Sequence, residues 1–518
     1  MRDEKLLKKA IALFPEIHET SLSAKRAIEI EKETSNIKDL KQIKEAIHIK
    51  ETEISDFKNT SLKKGDSLIL DFEDHYVGYL SLDLKSIGSH ADAPALLKIR
   101  FAERLVEFFE DADSYNGWIS SSWIQEELVH VDVISSVLKL DRRYAFRYVR
   151  IEVMDVSSKY SLLVNDAILR AVSSADDMAL VPYETENALD KEIDRVSIKT
   201  LHDCMQTVFE DGPKRDRRLW MGDLRIQAIA NYETYKANDM VKSCLYLFGA
   251  LTQDDGRVGA CLFLEPEPCV DDTCMFDYSL FFIAALRDYF KATGDIEAVQ
   301  DLWHVCKRQI ELSSMCLDDR NLVRDSDKLG WCFVDWNLEL NRQACAQGIF
   351  MYALKAALEL SECVGDVLAQ EEYSDLYLKL KEAAERFLMD KASGLFVSGE
   401  NSEISMASQV WMILGGMMEG EEAARLLDKA SQNESALKMI TPYMYHNYIE
   451  ALIIAGQKDK AHDMIDSYWG GMIENKADTF WELYNPENPD ESPYGGTIVN
   501  SYCHAWSCGP TYFLRKYF

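Results

Sequence analysis

The strongest constraint on this fold is a change of hydrophobic period near residue 180. From about Asp66 to Val156, apolar residues return at every second position. Leu80, Leu82 and Leu84 alternate with Ser81 and Asp83, Leu97, Ile99 and Phe101 with Lys98 and Arg100, and Val149, Ile151 and Val153 with Arg150 and Glu152. A strand points successive side chains to opposite faces, so the pattern predicts half-buried antiparallel strands, and several of them predict a β-sandwich. After Pro182 the period lengthens. Leu376, Leu380, Ala383, Ala384 and Phe387 form one stripe at helical spacing, as do Phe282, Leu286, Tyr289 and Phe290, and Met351, Leu354 and Leu358. Breaks at Gly294, Gly420 and Gly456 divide this half into roughly ten to twelve helices. Similar helices without a fixed sequence repeat favour a closed α/α toroid over a solenoid. The expected fold class is mainly α with an N-terminal all-β domain, residues 1–180 and then 181–518. The first 60 residues are charge-rich and carry no assignable pattern.

Charge and apolar content restrict the partners. The 518 residues are 47% hydrophobic, enough for a large core, and the net charge of −31 opposes binding to nucleic acid or to an anionic membrane. The sequence has no apolar run of 18 residues, and acids interrupt its N-terminus where a signal peptide would need an apolar core, which predicts a cytoplasmic protein. All twelve Cys lie between Cys204 and Cys508 without a C-x-x-C pair, so reduced thiols are expected, with no metal site and no cofactor. Walker A, G-x-G-x-x-G, H-E-x-x-H and G-x-S-x-G motifs are all missing.

The candidate chemistry sits in DGPKRDRRLWMGD, Asp211–Asp223, three Asp, three Arg and a Trp around a Gly-Pro turn. In a toroid, loops at one end converge on a central pit. Aromatic and acidic residues recur in later loops, at Phe333-Val334-Asp335-Trp336, Thr479-Phe480-Trp481-Glu482 and Ser501-Tyr502-Cys503-His504-Ala505-Trp506. A sugar site needs aromatic faces for the ring and paired polar groups for the hydroxyls, and glycosidic cleavage needs two carboxyl groups. Bland readings stand beside these. The Arg and Asp residues could form a structural ion-pair network, Asp335 could cap a helix, and Trp336, Trp481, His504 and His446 could be ordinary core residues.

These motifs resemble the α-L-rhamnosidases of glycoside hydrolase family 78. That family carries a pattern close to D-C-P-x-R-D-E-R-L-G-W-x-G-D and a later T-x-W-E, which DGPKRDRRLWMGD and DTFWE follow in order. ILDFEDHYVGYLSLDL and RRYAFRYVRIEV also resemble the strands that precede the barrel. The resemblance implies a β-sandwich followed by an (α/α)6 barrel of six helical hairpins, and an inverting exo-glycosidase acting on terminal α-L-rhamnose of small rhamnosides. It implies Glu482 as general base, Asp211, Arg215 and Asp223 as hydroxyl ligands, Trp220 as a wall, and His504 as a sugar contact. Asp335, Trp336 and Trp481 complete the expected binding set. The acid departs from the family pattern. Counted from Asp211, the family's Glu falls on Arg217; counted back from Asp223, it falls on Asp216. Asp216 is the expected acid, because the reaction requires a carboxyl group and Arg cannot usefully donate a proton. A short form such as this is a candidate homodimer. The rival readings are a toroid hydrolase for another sugar, such as an unsaturated uronide, and an inactive sugar-binding protein.

Overall fold

A computed structural model describes residues 2–32, 47–52, 57–324 and 331–518. Part of the unassigned N-terminal stretch, residues 33–46 and 53–56, lies outside the described residues.

The β-domain is a ten-stranded antiparallel sheet. Its strands are β1 (His18–Ser23), β2 (Arg26–Lys32), β3 (Ile47–Thr52), β4 (Ser61–Leu62), β5 (Ser67–Gly88), β6 (Ala95–Ala102), β7 (Glu126–Val131), β8 (Ser136–Lys139), β9 (Tyr144–Asp155) and β10 (Tyr160–Ser173). The 22-residue β5 is its spine. The first part of β5 pairs with β9 and β2, and the register shifts between Asp71 and Tyr76; beyond Gly78 the strand pairs with β10 and β8. This change of partners folds the sheet over one core. The alternating residues Leu80, Leu82, Leu84, Leu97, Ile99, Phe101, Val149, Ile151 and Val153 are all buried there.

One helix precedes the sheet, α1 (Glu4–Ile11), and twelve follow it among the described residues. These are α2 (Ala188–Cys204), α3 (Met221–Glu233), α4 (Asn238–Ala250), α5 (Phe276–Thr293), α6 (Ile296–Ser314), α7 (Gln343–Val364), α8 (Val367–Phe387), α9 (Met406–Leu414), α10 (Gly420–Ser431), α11 (Pro442–Ile454), α12 (Lys458–Glu474) and α13 (Pro510–Tyr517). They alternate between two layers. α3, α5, α7, α9 and α11 are buried on nearly every side, whereas α10 buries only the stripe Ala423, Leu426, Leu427 and Ala430. Each inner helix touches the next, and α11 returns to α3 through the turn Ala505–Ser507 that leads into α13, closing the ring. Gly294 ends α5 in the left-handed region at φ 71°, where a side chain would be strained. The α8 stripe is shorter than its spacing suggested, since Phe387 at its end is 39% exposed.

The N-terminal helix departs from the sequence reading, which grouped it with the β-domain. Leu6, Leu7 and Ala10 join the helical core, α1 packs on α4, and the Asp3 amide donates to the Ala250 carbonyl. An eight-residue amphipathic helix buries its apolar face wherever a matching groove exists, and sequence order does not choose that groove.

Candidate active site

The segments that enter α3, α5, α7 and α13 converge at one end of the ring on a cavity of about 390 Å3. The first of them is the charged motif. The Asp211 amide donates to the Arg218 carbonyl, and the Arg218 amide returns a bond to Asp211 Oδ1 at 3.0 Å, which brackets the loop. Between them Asp216 and Arg217 both adopt left-handed backbone, φ 53° and 54°, a costly conformation outside glycine that here turns the chain at the cavity. A Cβ on Gly212 would lie 2.9 Å from Ser501 Oγ and 3.2 Å from the Cys503 carbonyl, so the absent side chain lets the motif seat on the segment carrying His504. Leu219 and Trp220 then pair with Leu262 and Cys261, and Asp223 follows in the first turn of α3.

Glu482 is the most tightly held carboxylate in the cavity. Its two oxygens receive hydrogen bonds from the Arg215 guanidinium and the Tyr494 hydroxyl. Arg215 is itself fixed by donation from Nε to the Val499 carbonyl at 2.7 Å, and its guanidinium lies 4.0 Å over the Tyr494 ring. Burial pushes Glu482 above the usual carboxylate range, although Arg215 and Tyr494 both pull it down. Burial works against the charge of Arg215, and Glu482, Tyr494 and Asp216 together more than offset it. Nearby, burial together with the Asp216 and Asp223 charges pushes Asp211 well up, and burial and Glu482 do the same to Asp223. His504 stands between these two aspartates, Nδ1 3.3 Å from Asp223 Oδ1 and Nε2 3.9 Å from Asp211 Oδ2. Burial and Arg215 hold it well below the usual imidazole range, so the ring is neutral.

Asp211, Arg215, Asp216, Trp220, Asp223, Trp336, Glu482 and His504 all line this cavity. Arg217, the other position to which the acid could be counted, does not; its guanidinium is turned onto the backbone carbonyls of Pro213 and Arg143. Two expected sugar contacts are corrected. The Asp335 carboxylate accepts from the amides of Trp336, Ile440 and Thr441 and from the Thr441 hydroxyl, so it anchors the start of α11. Trp481 is buried away from the cavity, with the Arg104 guanidinium 4.1 Å over its ring. In Phe480-Trp481-Glu482 only the carboxylate reaches the pit. His446 is a core residue of α11 beside Phe513 and lies outside the cavity.

The sequence reading missed Tyr278, Trp331 and Tyr494 on the barrel side, and Trp118 and Trp123 from the β-domain, and it gave no role to Trp506, which its last candidate loop contains. Trp506 packs face to face with Phe333 and donates to the Glu482 carbonyl at 2.9 Å. The only hint of the β-domain wall was two Trp within Gly- and Ser-rich GWISSSW. His75, Asp203 and Cys503 are close enough to share an ion, yet the His75 nitrogens already meet Asp203 at 2.6 Å and Glu103 at 3.0 Å. Burial opposes a charge on His75, but Cys503, Asp203 and Glu103 hold it well above the usual imidazole range, making the cluster an ionic clamp between the two domains.

Residues 181–518 match the family model of the bacterial α-L-rhamnosidase six-hairpin glycosidase domain, and residues 26–171 match that of the glycosyl hydrolase family 78 α-rhamnosidase N-terminal domain. The chain belongs to glycoside hydrolase family 78. A comparison with curated proteins returns no match. Among solved structures, this family 78 chain is similar to a rhamnosidase from Klebsiella oxytoca with rhamnose bound, at 41% identity and a TM-score of 0.95, over 100% of this chain and 99% of that one. It shares its fold with a family 78 rhamnosidase of Bacillus sp. GL1 at 21% identity and a TM-score of 0.75, covering 87% of this chain and 46% of that one. An α-L-rhamnosidase from Streptomyces avermitilis gives 15% identity and a TM-score of 0.66, over 97% and 44%. This α-L-rhamnosidase is thus a β-sheet domain followed by a six-hairpin glycosidase barrel, and rhamnoside hydrolysis is its activity class.

Proposed function

We propose that this chain is an inverting exo-rhamnosidase in which Asp216 is the general acid and Glu482 the general base. The observation that carries this reading is the pairing of a clamped, buried carboxylate with a second carboxyl group on a turn at the same cavity. Asp216 gives its proton to the glycosidic oxygen as the bond to the anomeric carbon breaks. Glu482 takes a proton from the water that attacks the opposite face of the ring, and the released sugar carries inverted configuration. Arg215 and Tyr494, both donating to Glu482, favour the ionised form that a base requires.

Asp211, Asp223 and neutral His504 bind sugar hydroxyls in this scheme. Asp223 Oδ1 and His504 Nδ1, together with the indole nitrogens of Trp220 and Trp336, are buried without a hydrogen-bond partner. Such groups are costly unless a ligand's hydroxyls meet them. A uronide is disfavoured: the lining carries Asp211, Asp216, Asp223, Asp271 and Glu482 against Arg215 and Arg218, and Arg215 is already committed to Glu482. No helix among the described residues is long and apolar enough to cross a membrane. We propose a cytoplasmic enzyme that acts on small imported rhamnosides and forms a homodimer, which light scattering tests.

Proton NMR of aryl α-L-rhamnoside cleavage decides the chemistry. The β-anomer of rhamnose should appear first with the wild type, and both Asp216→Asn and Glu482→Gln should be slow. Initial release of the α-anomer would overturn inversion, and undiminished turnover by either variant would remove that residue from its role.

A further inference from the structure

The cavity has two unlike ends. Its floor is charged and buried, with Asp211, Arg215, Asp223, Glu482 and His504 each no more than 4% exposed, while its rim is aromatic and open. Trp118, from the β-domain, is 66% exposed, and Trp331, from the barrel, is 44% exposed. Trp336 bridges them, with ring centroids 6.4 Å from Trp118 and 6.3 Å from Trp331. Trp123 and Ile119 continue the apolar wall on the β-domain side.

The exposed Trp118 is not loose. Its indole nitrogen donates to the Pro493 carbonyl at 2.8 Å, and its ring lies 5.3 Å from that of Tyr494. The segment leading to it is bolted to the same loop: Glu110 accepts from the Thr497 amide and hydroxyl and from the Ile498 amide, and the Tyr115 hydroxyl donates to the Tyr494 carbonyl at 2.8 Å. Holding a largely exposed indole in one orientation costs conformational entropy and leaves apolar surface in water, which a ligand covering that face would offset. The platform is also in register with the chemistry, because Tyr494 donates to Glu482.

We infer that Trp118, with Trp123, is the leaving-group subsite, and that it selects rhamnosides whose aglycone presents a flat ring, either an aromatic ring or the apolar face of a second pyranose. The inference rests on the rhamnosidase reading above: with the terminal sugar on the polar floor, the departing group must face the open rim. The β-domain then sets aglycone preference while the barrel performs the cleavage.

The test compares wild type, Trp118→Ala and Trp118→Phe on methyl α-L-rhamnoside, 4-nitrophenyl α-L-rhamnoside and a rhamnosyl-glucose disaccharide. Comparing each variant with wild type on the same substrate cancels the intrinsic reactivity of the leaving groups. Trp118→Ala should lower kcat/KM about tenfold more for a ring-bearing substrate than for the methyl glycoside, the weight of one ring stack, and Trp118→Phe should restore most of that difference. A selective fall for the nitrophenyl substrate alone identifies an aromatic aglycone, one for the disaccharide alone a sugar, and one for both a subsite open to either. An equal fall on all three substrates would mean that Trp118 acts only through Pro493 and Tyr494, and no fall on either ring-bearing substrate would leave the rim without a role; either result overturns the inference. Absence of turnover of all three by the wild type would instead overturn the rhamnosidase reading beneath it.

Discussion

The floor and the rim of the cavity solve opposite problems. On the floor, charges are taken out of water and must be held by partners, so Glu482 is clamped by Arg215 and Tyr494 and its neighbours are pushed toward neutrality. At the rim, apolar rings stay in water, and Trp118 is held by one hydrogen bond to Pro493 and by ring contacts with Trp336 and Tyr494 of the barrel. The contrast teaches a division of labour. Electrostatic work needs low dielectric and fixed dipoles, whereas recognition of a variable group needs only an oriented apolar face.

Variants on the two sides should therefore differ in kind. The largest loss is expected from Glu482→Gln, on the order of a thousandfold in kcat with little change in KM, measured by steady-state kinetics. A comparable loss in KM alone would break the contrast, because it would make Glu482 a binding group. Asp216→Asn follows, with a loss of about a hundredfold on a disaccharide and a smaller one on a nitrophenyl glycoside, whose leaving group needs less protonation. Equal losses on the two substrates would argue against proton donation. Tyr494→Phe is the milder floor variant. Its hydroxyl favours ionised Glu482, so removing it should raise the pKa of that carboxyl group and move the acid limb of the pH–rate profile to higher pH. An unmoved limb would detach Tyr494 from the base.

The smallest effect on rate should come from Asp335, which the structure takes off the cavity. Burial pushes its carboxyl up to about 6. A folded-state value above the unfolded one contributes stability that is full near pH 4 and lost as pH rises through 6. Asp335→Asn, which does not titrate, should gain stability relative to wild type between pH 4.5 and pH 7, by up to about 2 to 3 kcal/mol, with kcat/KM nearly unchanged. Denaturant unfolding at the two pH values reads this directly. A large rise in KM would return Asp335 to the sugar site.

What could be read in the sequence follows from local physics. Period-two residues such as Leu97, Ile99 and Phe101 mark a strand without any knowledge of its partner, and the carboxylates of Asp211–Asp223 and DTFWE stand out because charge is seldom concentrated beside buried aromatics. Family motifs add order to these signals, and most of the named residues do meet at one cavity. Asp335 and Trp481 were misread for one reason. Polar and aromatic residues are needed equally to anchor a helix start or fill a core, and residue type does not reveal which way a side chain turns.

The sequence by itself determined the two periods, the division between strands and helices, and the stock of carboxyl groups, because each depends on neighbours within a few residues. Only the tertiary structure decided that α1 joins the barrel, that Asp216 rather than Arg217 faces the pit, that Tyr494 holds Glu482, and that Trp118 crosses from the β-domain to the rim. These outcomes depend on which surfaces bury one another across hundreds of residues, a property of closure and packing that no local pattern encodes.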